Sequence, residues 1–282
     1  MLAYLRGIEK MTLAGVVGFP IKHSKSPLIH NYWLKKYGIN ARYDAFAVAS
    51  GDLPAFVKSA AQNGLAGFNV TVPHKVAVMS LTDAVSPAAQ KAGAVNTVVV
   101  RGDGTLFGDN TDGYGFLANL AESKPDFDIQ KTVAAVLGTG GAARGVCAAM
   151  VLAGVPEIRL VYRTREKADH LARSVGGNIR LVEWRDREDA LTGAGLLANA
   201  TTLGMNGFDA LDIGLDNLPE NAVVADLVYA PLKTDLLKRA ENRGLATADG
   251  LGMLLHQARP AFQAWFGVMP EITAELRELV LQ

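Results

Sequence analysis

The chain is short of cysteine, since Cys147 is the single cysteine among its 282 residues. One thiol cannot form a disulfide within the chain, so a disulfide-supported scaffold is excluded. Cys147 lies in a run of small residues, where it is expected to serve packing. An excess of charge of one sign is also lacking, because 28 lysines and arginines balance 28 aspartates and glutamates. This balance gives no reason to expect a nucleic acid or a membrane as partner, and a small molecule is the expected ligand.

Long apolar runs are missing as well, because no stretch approaches the roughly 18 apolar residues of a membrane-spanning helix. Residues 1–10 lack the basic-then-apolar order of a signal peptide. The sequence therefore predicts a cytoplasmic protein. No metal site is predicted. A chain of 282 residues is long for one hydrophobic core, so two domains are expected.

A strand, a glycine turn and a helix are predicted within residues 132–153. The turn reads Gly138-Thr139-Gly140-Gly141-Ala142-Ala143. Gly138 allows a tight turn, Gly140 lets the backbone approach a pyrophosphate, and Ala143 lets the helix lie against its strand. The N-terminus of that helix would face an anion. The turn alone is a weak signal, because an ordinary connection between a strand and a helix has the same composition.

The next predicted strand, at residues 157–163, ends without an acidic residue. A fold that binds NAD places Asp or Glu there, about 20 residues after the turn, to accept a hydrogen bond from the ribose 2′-hydroxyl. This chain has Arg163 instead, followed by Arg165 and Lys167. The pattern favours the 2′-phosphate of NADP. The alternative is that these cations only solvate the start of the following helix.

Two serines stand at the start of the first predicted helix, after a buried strand at residues 13–18. Ser26 is predicted to be the N-cap, with Pro27 at the first helical position. That role does not account for Ser24. Two hydroxyls beside the positive end of a helix could hold a carboxylate.

Another predicted strand, at residues 66–72, leads into Thr71, Pro73 and Lys75. Ligands of open α/β sheets bind beyond the carboxyl ends of the strands, so Thr71 and Lys75 are placed for chemistry. From its position alone, Lys75 reads more simply as a solvated surface charge. A hairpin is predicted over residues 94–108. Beyond it, Thr111 or Asp112 could cap the next helix.

Three further apolar runs, at residues 179–184, 195–200 and 222–229, are expected to be strands separated by short helical segments. Loops that carry Thr201 and Tyr229 leave two of these strands and would border the nicotinamide end of a dinucleotide. From residue 247 the chain enters a helix in which Gln257 shares an apolar surface with Met253. A buried amide in that setting needs a hydrogen-bond partner.

Taken together, the motifs resemble one family, the shikimate dehydrogenases with their quinate/shikimate relatives. The motifs run along nearly the whole chain: Gly18-x-Pro20-Ile21-x-His23-Ser24-x-Ser26-Pro27, Asn69-Val70-Thr71-Val72-Pro73-x-Lys75, Gly93-Ala94-Val95-Asn96-Thr97, Gly108-Asp109-Asn110-Thr111-Asp112-Gly113, Gly138-x-Gly140-Gly141-Ala142-x-Arg144 and Asp249-Gly250-x-Gly252-Met253-x-x-x-Gln257. The resemblance implies an α/β protein of two domains with a cleft between them. Residues 1–113 plus 248–282 would form the substrate domain, and residues 114–247 an inserted Rossmann-type NADP domain.

The resemblance also implies an activity, the reversible reduction of 3-dehydroshikimate to shikimate with NADPH in aromatic amino acid biosynthesis. Lys75 and Asp112 would be the catalytic pair. The substrate carboxylate would be bound by Ser24, Ser26 and Tyr229, and the ring hydroxyls by Thr71, Asn96 and Gln257. The cofactor would contact Gly138, Gly140, Gly141, Ala142, Arg163, Thr164, Lys167, Thr201 and Gly250.

The chain departs from the family pattern after the second nucleotide strand. Tyr162 stands where many members have Asn, and Lys167 where a second arginine is common. Lysine is a point charge and lacks the bidentate fork of arginine, so the strength of the NADP preference stays open. Two alternatives remain: a relaxed quinate/shikimate dehydrogenase that uses NAD or NADP, and a non-catalytic paralogue that binds a dinucleotide. The chain could be a monomer or a homodimer.

Overall fold

The computed structural model describes residues 11–282. The prediction about a signal peptide concerns residues 1–10 and lies outside the described residues. The elements in chain order are β1 (Thr12–Gly18), α1 (Ser26–Lys36), β2 (Ala41–Ala47), α2 (Leu53–Ser59), β3 (Leu65–Val70), β4 (Ala84–Val85), α3 (Pro87–Ala92), β5 (Thr97–Val100), β6 (Leu106–Asp109), α4 (Asp112–Ser123), β7 (Val133–Leu137), α5 (Gly141–Leu152), β8 (Glu157–Tyr162), α6 (Arg165–Val175), β9 (Ile179–Glu183), β10 (Leu196–Asn199), β11 (Val223–Asp226), α7 (Asp235–Asn242), β12 (Ala246–Ala248), α8 (Gly250–Phe266) and α9 (Ala274–Leu281).

The first sheet has the strand order β2-β1-β3-β5-β6-β4. Strands β1, β2 and β3 run parallel, and β5 and β6 form the predicted antiparallel hairpin. One face of this sheet is covered by α1 and by the C-terminal helices, with Trp33, Phe262 and Val280 in one core cluster. The chain therefore returns to its first sheet after completing the second.

The second sheet is parallel throughout, in the order β12-β11-β10-β7-β8-β9. This is the doubly wound order of dinucleotide-binding folds, in which the direction of winding reverses between β7 and β10. Buried side chains cover both faces of the sheet, as parallel sheets require. The predicted α/β class with two sheets and a cleft is confirmed.

The connection between β10 and β11 differs from the prediction, which placed a helical segment there. Residues 200–222 contain turns and irregular chain but no helix. Gly204 and Gly207 have φ values of +88° and +84°, which interrupt a right-handed helix. Ile213 and Leu215 are buried and cover the sheet face in place of a helix.

The two sheets are joined by α4, which packs against both α5 and α8. Cys147 lies fully buried in α5 as a free thiol, which confirms its packing role. Burial raises the pKa of this thiol to about 12. Within residues 11–282, no helix combines the length and the apolar character that crossing a membrane requires.

Candidate active site

A cavity of about 310 Å³ lies between the two sheets. It is lined by side chains from both halves of the chain. All eight residues that were predicted to bind substrate or to catalyse line it: Ser24, Ser26, Thr71, Lys75, Asn96, Asp112, Tyr229 and Gln257. Ala142 and Gly250, from the predicted cofactor set, lie at the same cavity. The fold therefore brings residues that are far apart in the sequence to one place.

Lys75 and Asp112 form a close ion pair at this cavity. Strands β3 and β6 both run antiparallel to β5, so their carboxyl ends lie at the same edge of the sheet. Lys75 follows β3 and Asp112 follows β6, which explains why they meet. The distance from Lys75 Nζ to Asp112 Oδ2 is 2.5 Å, and the two side chains are 16% and 7% exposed. The pair is thus partly shielded from water. The attraction between two opposite charges is stronger in such a place than at the fully exposed surface.

The second oxygen of the Asp112 carboxylate is held by Asn96. Asn96 Nδ2 donates to Asp112 Oδ1 at 2.8 Å, and Asn96 Oδ1 accepts from the Thr111 backbone N–H at 2.8 Å. These two bonds fix which way the Asn96 amide points. Both carboxylate oxygens are therefore occupied by donors before any ligand binds.

The capping role considered for Thr111 or Asp112 is not what the structure shows. Thr111 occupies the N-cap position of α4, but its side chain makes no capping hydrogen bond. Asp112 is the first residue of the helix, and its backbone N–H donates to Asn110 Oδ1 at 3.1 Å. The Asp112 carboxylate is left to face Lys75.

The start of α1 also differs from the prediction, because Ser26 is not the N-cap. Lys25 already has helical φ and ψ values of −83° and −7°, so the cap position falls one residue earlier. Ser24 Oγ accepts a hydrogen bond from the Ser26 backbone N–H at 3.3 Å. Both hydroxyls nevertheless line the cavity beside the N-terminus of the helix.

The remaining predicted substrate residues lie around the same cavity. Gln257 Nε2 donates to the Leu254 carbonyl oxygen at 2.9 Å, and Asn96 Nδ2 lies 3.5 Å from Gln257 Oε1. The partner that the sequence required for this amide is thus on its own helix. Burial raises the pKa of the Tyr229 phenol, which keeps its hydroxyl protonated as a donor. Thr71 follows β3, four residues before Lys75.

The glycine turn after β7 has the geometry expected of a pyrophosphate site. Gly138 has a φ of +102°, and a Cβ atom there would lie 3.1 Å from the Ala200 carbonyl oxygen. A Cβ atom on Gly140 would meet nothing within 4 Å, so the backbone at the N-terminus of α5 is open to a ligand. The methyl group of Thr201 lies against Gly138, across the reversal between β7 and β10. The Thr201 hydroxyl donates to Asn199 Oδ1 at 2.7 Å.

The residues after β8 match a phosphorylated ribose. Strand β8 ends at Tyr162, and the exposed residues that follow are Arg163, Thr164 and Arg165, with no acid at the strand end. Arg163 and Lys167 are exposed cations, whereas Arg165 is paired with Asp169 at 3.0 Å. Arg163 and Lys167 make no ion pair within residues 11–282. Together with the open glycine turn, which suits a pyrophosphate, these cations fit the phosphorylated ribose of NADP.

Comparison with known proteins is decisive for the family. Residues 16–98 match the family model of the shikimate dehydrogenase substrate binding domain, and residues 250–281 match that of the shikimate 5′-dehydrogenase C-terminal domain. The chain is 53% identical to the shikimate dehydrogenase (NADP(+)) of Paramagnetospirillum magneticum, over 96% of this chain and 99% of that protein. The chain belongs to the shikimate dehydrogenase family.

Solved structures of family members have the same fold. The Thermus thermophilus shikimate 5-dehydrogenase in complex with NADP(H) and shikimate is 36% identical, with a TM-score of 0.84, over 96% of this chain and 98% of that chain. The quinate dehydrogenase of Corynebacterium glutamicum in complex with NAD is 32% identical, with a TM-score of 0.88, over 96% and 99%. Both shikimate and quinate enzymes therefore share this architecture.

In this shikimate dehydrogenase family member, the sequence prediction missed several residues around the site. Asn69 and Lys25 line the cavity. A polar side chain at the end of an apolar strand was the available signal for Asn69. Asn199 and Asp226 were also missed: Asn199 Nδ2 donates to Asp226 Oδ1 at 2.9 Å. This buried pair joins the loops that carry Thr201 and Tyr229, and burial raises the pKa of the Asp226 carboxyl.

Proposed function

We propose that the chain catalyses the reversible reduction of 3-dehydroshikimate to shikimate, with NADPH as the hydride donor. The observation that carries this proposal is the Lys75–Asp112 ion pair in a cavity lined from both sheets. Support comes from the relatives, which are named as NADP-dependent shikimate dehydrogenases at about half identity over nearly the whole length. In that family the reaction belongs to aromatic amino acid biosynthesis.

Lys75 is the proton donor in this proposal. NADPH supplies a hydride to the C3 ketone when it is bound. The ketone oxygen then gains negative charge, and a positioned ammonium that releases a proton to it lowers the barrier, typically by about 10²- to 10⁴-fold. Asp112 holds the Lys75 ammonium at 2.5 Å, and Asn96 holds Asp112 in turn. In the direction of shikimate oxidation, neutral Lys75 accepts the proton of the C3 hydroxyl.

The other cavity residues orient the ring in this proposal. The carboxylate lies against the hydroxyls of Ser24, Ser26 and Tyr229, at the positive end of α1. Thr71, Asn96 and Gln257 bind the ring hydroxyls. Lys25 lies at the same cavity and adds a positive charge near the carboxylate end.

We also propose the roles of the cofactor residues and the boundaries between the lobes. Gly138, Gly140, Gly141 and Ala142 form the turn and helix start for the pyrophosphate. Thr201 lies against Gly138, and Gly250 lines the same cavity as Ala142. Arg163, Thr164 and Lys167 bind the ribose phosphate. Residues 1–113 plus 248–282 form the substrate lobe, and residues 114–247 the NADP lobe. The cytoplasmic location stays a prediction.

One assay tests the proposed function directly. Purified protein is mixed with shikimate and NADP⁺, and the appearance of NADPH is followed by its absorbance. We expect steady turnover with NADP⁺ and slower turnover with NAD⁺. Binding of both ligands without any NADPH formation would instead establish the non-catalytic alternative.

The quinate alternative has one specific observation in its favour, the similarity to the Corynebacterium glutamicum quinate dehydrogenase. The same assay with quinate in place of shikimate separates the two. We expect kcat/KM for shikimate to exceed that for quinate. Equal values with the two substrates would favour the relaxed enzyme.

A further inference from the structure

Trp184 lies outside every motif that the sequence suggested, and it stands beside the proposed NADP site. It follows the last residue of β9 and is the first residue of a short 3₁₀ turn, Trp184–Asp186. Its side chain is half-buried and packs against the core cluster that contains Val182 and Leu191. Trp184 lines an open surface pocket of about 460 Å³ together with Tyr162, Arg163, Arg165, Glu183 and Arg185.

The indole ring of Trp184 contacts two arginines. The guanidinium carbon of Arg163 lies 4.4 Å from the ring centroid, and that of Arg187 lies 5.7 Å from it. Arg187 is anchored, because its Nε donates to the Asp212 carbonyl oxygen at 2.7 Å and its Nη1 to the Trp184 carbonyl oxygen at 3.2 Å. The ring is therefore held by the core and by Arg187, and it offers a fixed surface to Arg163.

Arg163 differs from its neighbours in what its donors do. Three nearby arginines are paired with carboxylates: Arg165 with Asp169, Arg185 with Glu183 and Arg187 with Asp212. Within residues 11–282, the guanidinium of Arg163 makes no hydrogen bond and no ion pair. It makes a cation–π contact with the Trp184 ring. Glu183, the acid that lines this pocket, is paired with Arg185 at 3.0 Å.

Stacking and hydrogen bonding use different parts of a guanidinium. A cation–π contact uses its flat face, whereas all five N–H donors lie in its plane and point outward. A carboxylate partner would occupy those donors and would have to be displaced by a phosphate. An aromatic partner fixes the side chain and leaves the donors available for a bidentate contact.

We propose that Trp184 is a positioning residue that pre-orients Arg163 to bind the 2′-phosphate of NADP, and that it thereby contributes to the choice of NADP over NAD. This inference rests on the proposed use of NADP. In this proposal Trp184 does not contact the phosphate itself, because it acts through Arg163.

The test measures binding of two cofactor fragments, 2′,5′-ADP and 5′-AMP, to the full chain by calorimetry. Wild type is expected to bind 2′,5′-ADP more tightly than 5′-AMP. Trp184→Leu should weaken 2′,5′-ADP about two- to fivefold, which corresponds to the roughly 0.5–1 kcal/mol of one exposed cation–π contact, and should leave 5′-AMP unchanged. Trp184→Phe keeps an aromatic face and should restore most of the lost affinity.

A double-mutant comparison shows whether the effect passes through Arg163. In an Arg163→Gln background, Trp184→Leu should produce no further loss of 2′,5′-ADP affinity. Phe107→Leu is a matched control, because it removes the stack of Arg101 on Phe107, 4.7 Å apart, in the other sheet. It should change neither fragment's affinity.

Two results would overturn the inference. Equal weakening of both fragments by Trp184→Leu would make Trp184 a surface for the adenine, and unchanged affinity for both would make the stack irrelevant. If Trp184→Leu does not fold, Trp184→Met keeps the apolar bulk and is compared in the same way. Should wild type fail to prefer 2′,5′-ADP, the NADP proposal falls together with this inference. A selective wild type with an equally selective Trp184→Leu variant removes the inference alone.

Discussion

At the scale of single residues, the proposed chemistry depends on one partly buried ion pair, that of Lys75 with Asp112. Lys75→Ala removes the proposed proton donor, so kcat for shikimate oxidation should fall by about 10²- to 10⁴-fold. The affinity for NADPH should stay close to that of wild type. Steady-state kinetics and a fluorescence titration with NADPH measure the two quantities.

A matched control for this variant is Lys124→Ala. Lys124 also pairs with an aspartate, Asp126, at 2.8 Å, but its side chain is 36% exposed and it is not among the residues that line the cavity. An exposed pair contributes little, so this change should leave kcat and stability nearly unchanged. A Lys75→Ala enzyme that turns over like the control would remove Lys75 from the mechanism.

A second residue-scale prediction concerns the stability of the fold, through His30. This imidazole is fully buried and stacks on Tyr43, with ring centroids 4.1 Å apart. Burial lowers its pKa to about 3, and the neighbouring Asn69 side chain opposes this shift only in part. As the pH falls below about 6.5, the His30 imidazole therefore becomes protonated in the unfolded chain but stays neutral in the folded chain.

The stability linked to His30 is present above the pKa of its imidazole in the unfolded chain, 6.5. This stability is lost as the pH falls toward the pKa in the folded chain, about 3. At pH 5 the loss should be about 2 kcal/mol relative to neutral pH. His30→Phe keeps an aromatic ring in the stack and should flatten this part of the pH dependence in urea unfolding. His23→Gln, at an exposed position, should keep the wild-type slope. Equal slopes for His30→Phe and wild type would show that His30 does not carry the effect.

At the scale of elements, the crossing of α4 and α8 brings Asp112 and Gln257 to the same cavity. Gly115 of α4 faces α8, and a Cβ atom there would lie 2.7 Å from the Met253 carbonyl oxygen and 2.6 Å from Gln257 Cβ. The helices approach this closely because glycine has no side chain. Any larger residue must push the two helices apart.

Gly115→Ala should therefore destabilise the fold and loosen substrate binding. Overpacking costs about 1–3 kcal/mol, and these contacts below 3.0 Å favour a cost above the roughly 1 kcal/mol that alanine gains over glycine in a helix. We expect a lower melting temperature and a higher KM for shikimate, with the NADPH affinity little changed. Gly102→Ala is the control, because a Cβ atom there meets nothing within 4 Å. A Gly115→Ala enzyme as stable as wild type, with an unchanged KM, would show that this crossing can adjust.

At the scale of the whole molecule, substrate and cofactor are assigned to different lobes of one chain. Either ligand at about 100 times its Kd should add about 2.7 kcal/mol of stability, which raises the melting temperature by about 5 °C. Ser24→Ala should reduce the shift produced by shikimate at a fixed concentration and keep that of NADPH. Arg163→Ala should do the reverse. If Ser24→Ala removed the response to both ligands, the proposed division into lobes would be wrong.

Much of this molecule could be predicted from local patterns. The alternation of apolar runs and turns predicted most strands of both sheets but not the short strands β4 and β12, and the glycine turn before α5 predicted a dinucleotide fold. The missing acid after β8 predicted NADP. The first turn of α1 was misplaced by one residue, and a helix was wrongly expected between β10 and β11, because cap geometry and core coverage depend on neighbours that the local sequence does not include.

The sequence by itself determined the type of fold, the order of the strands along the chain and the residue types available for chemistry. These properties depend on propensity and periodicity, which act over a few residues. Only the tertiary structure decided that Lys75 meets Asp112, that Asn96 holds Asp112, and that Trp184 stacks on Arg163. The physical reason is that such contacts depend on strand order and sheet register, which are set by long-range burial of the core.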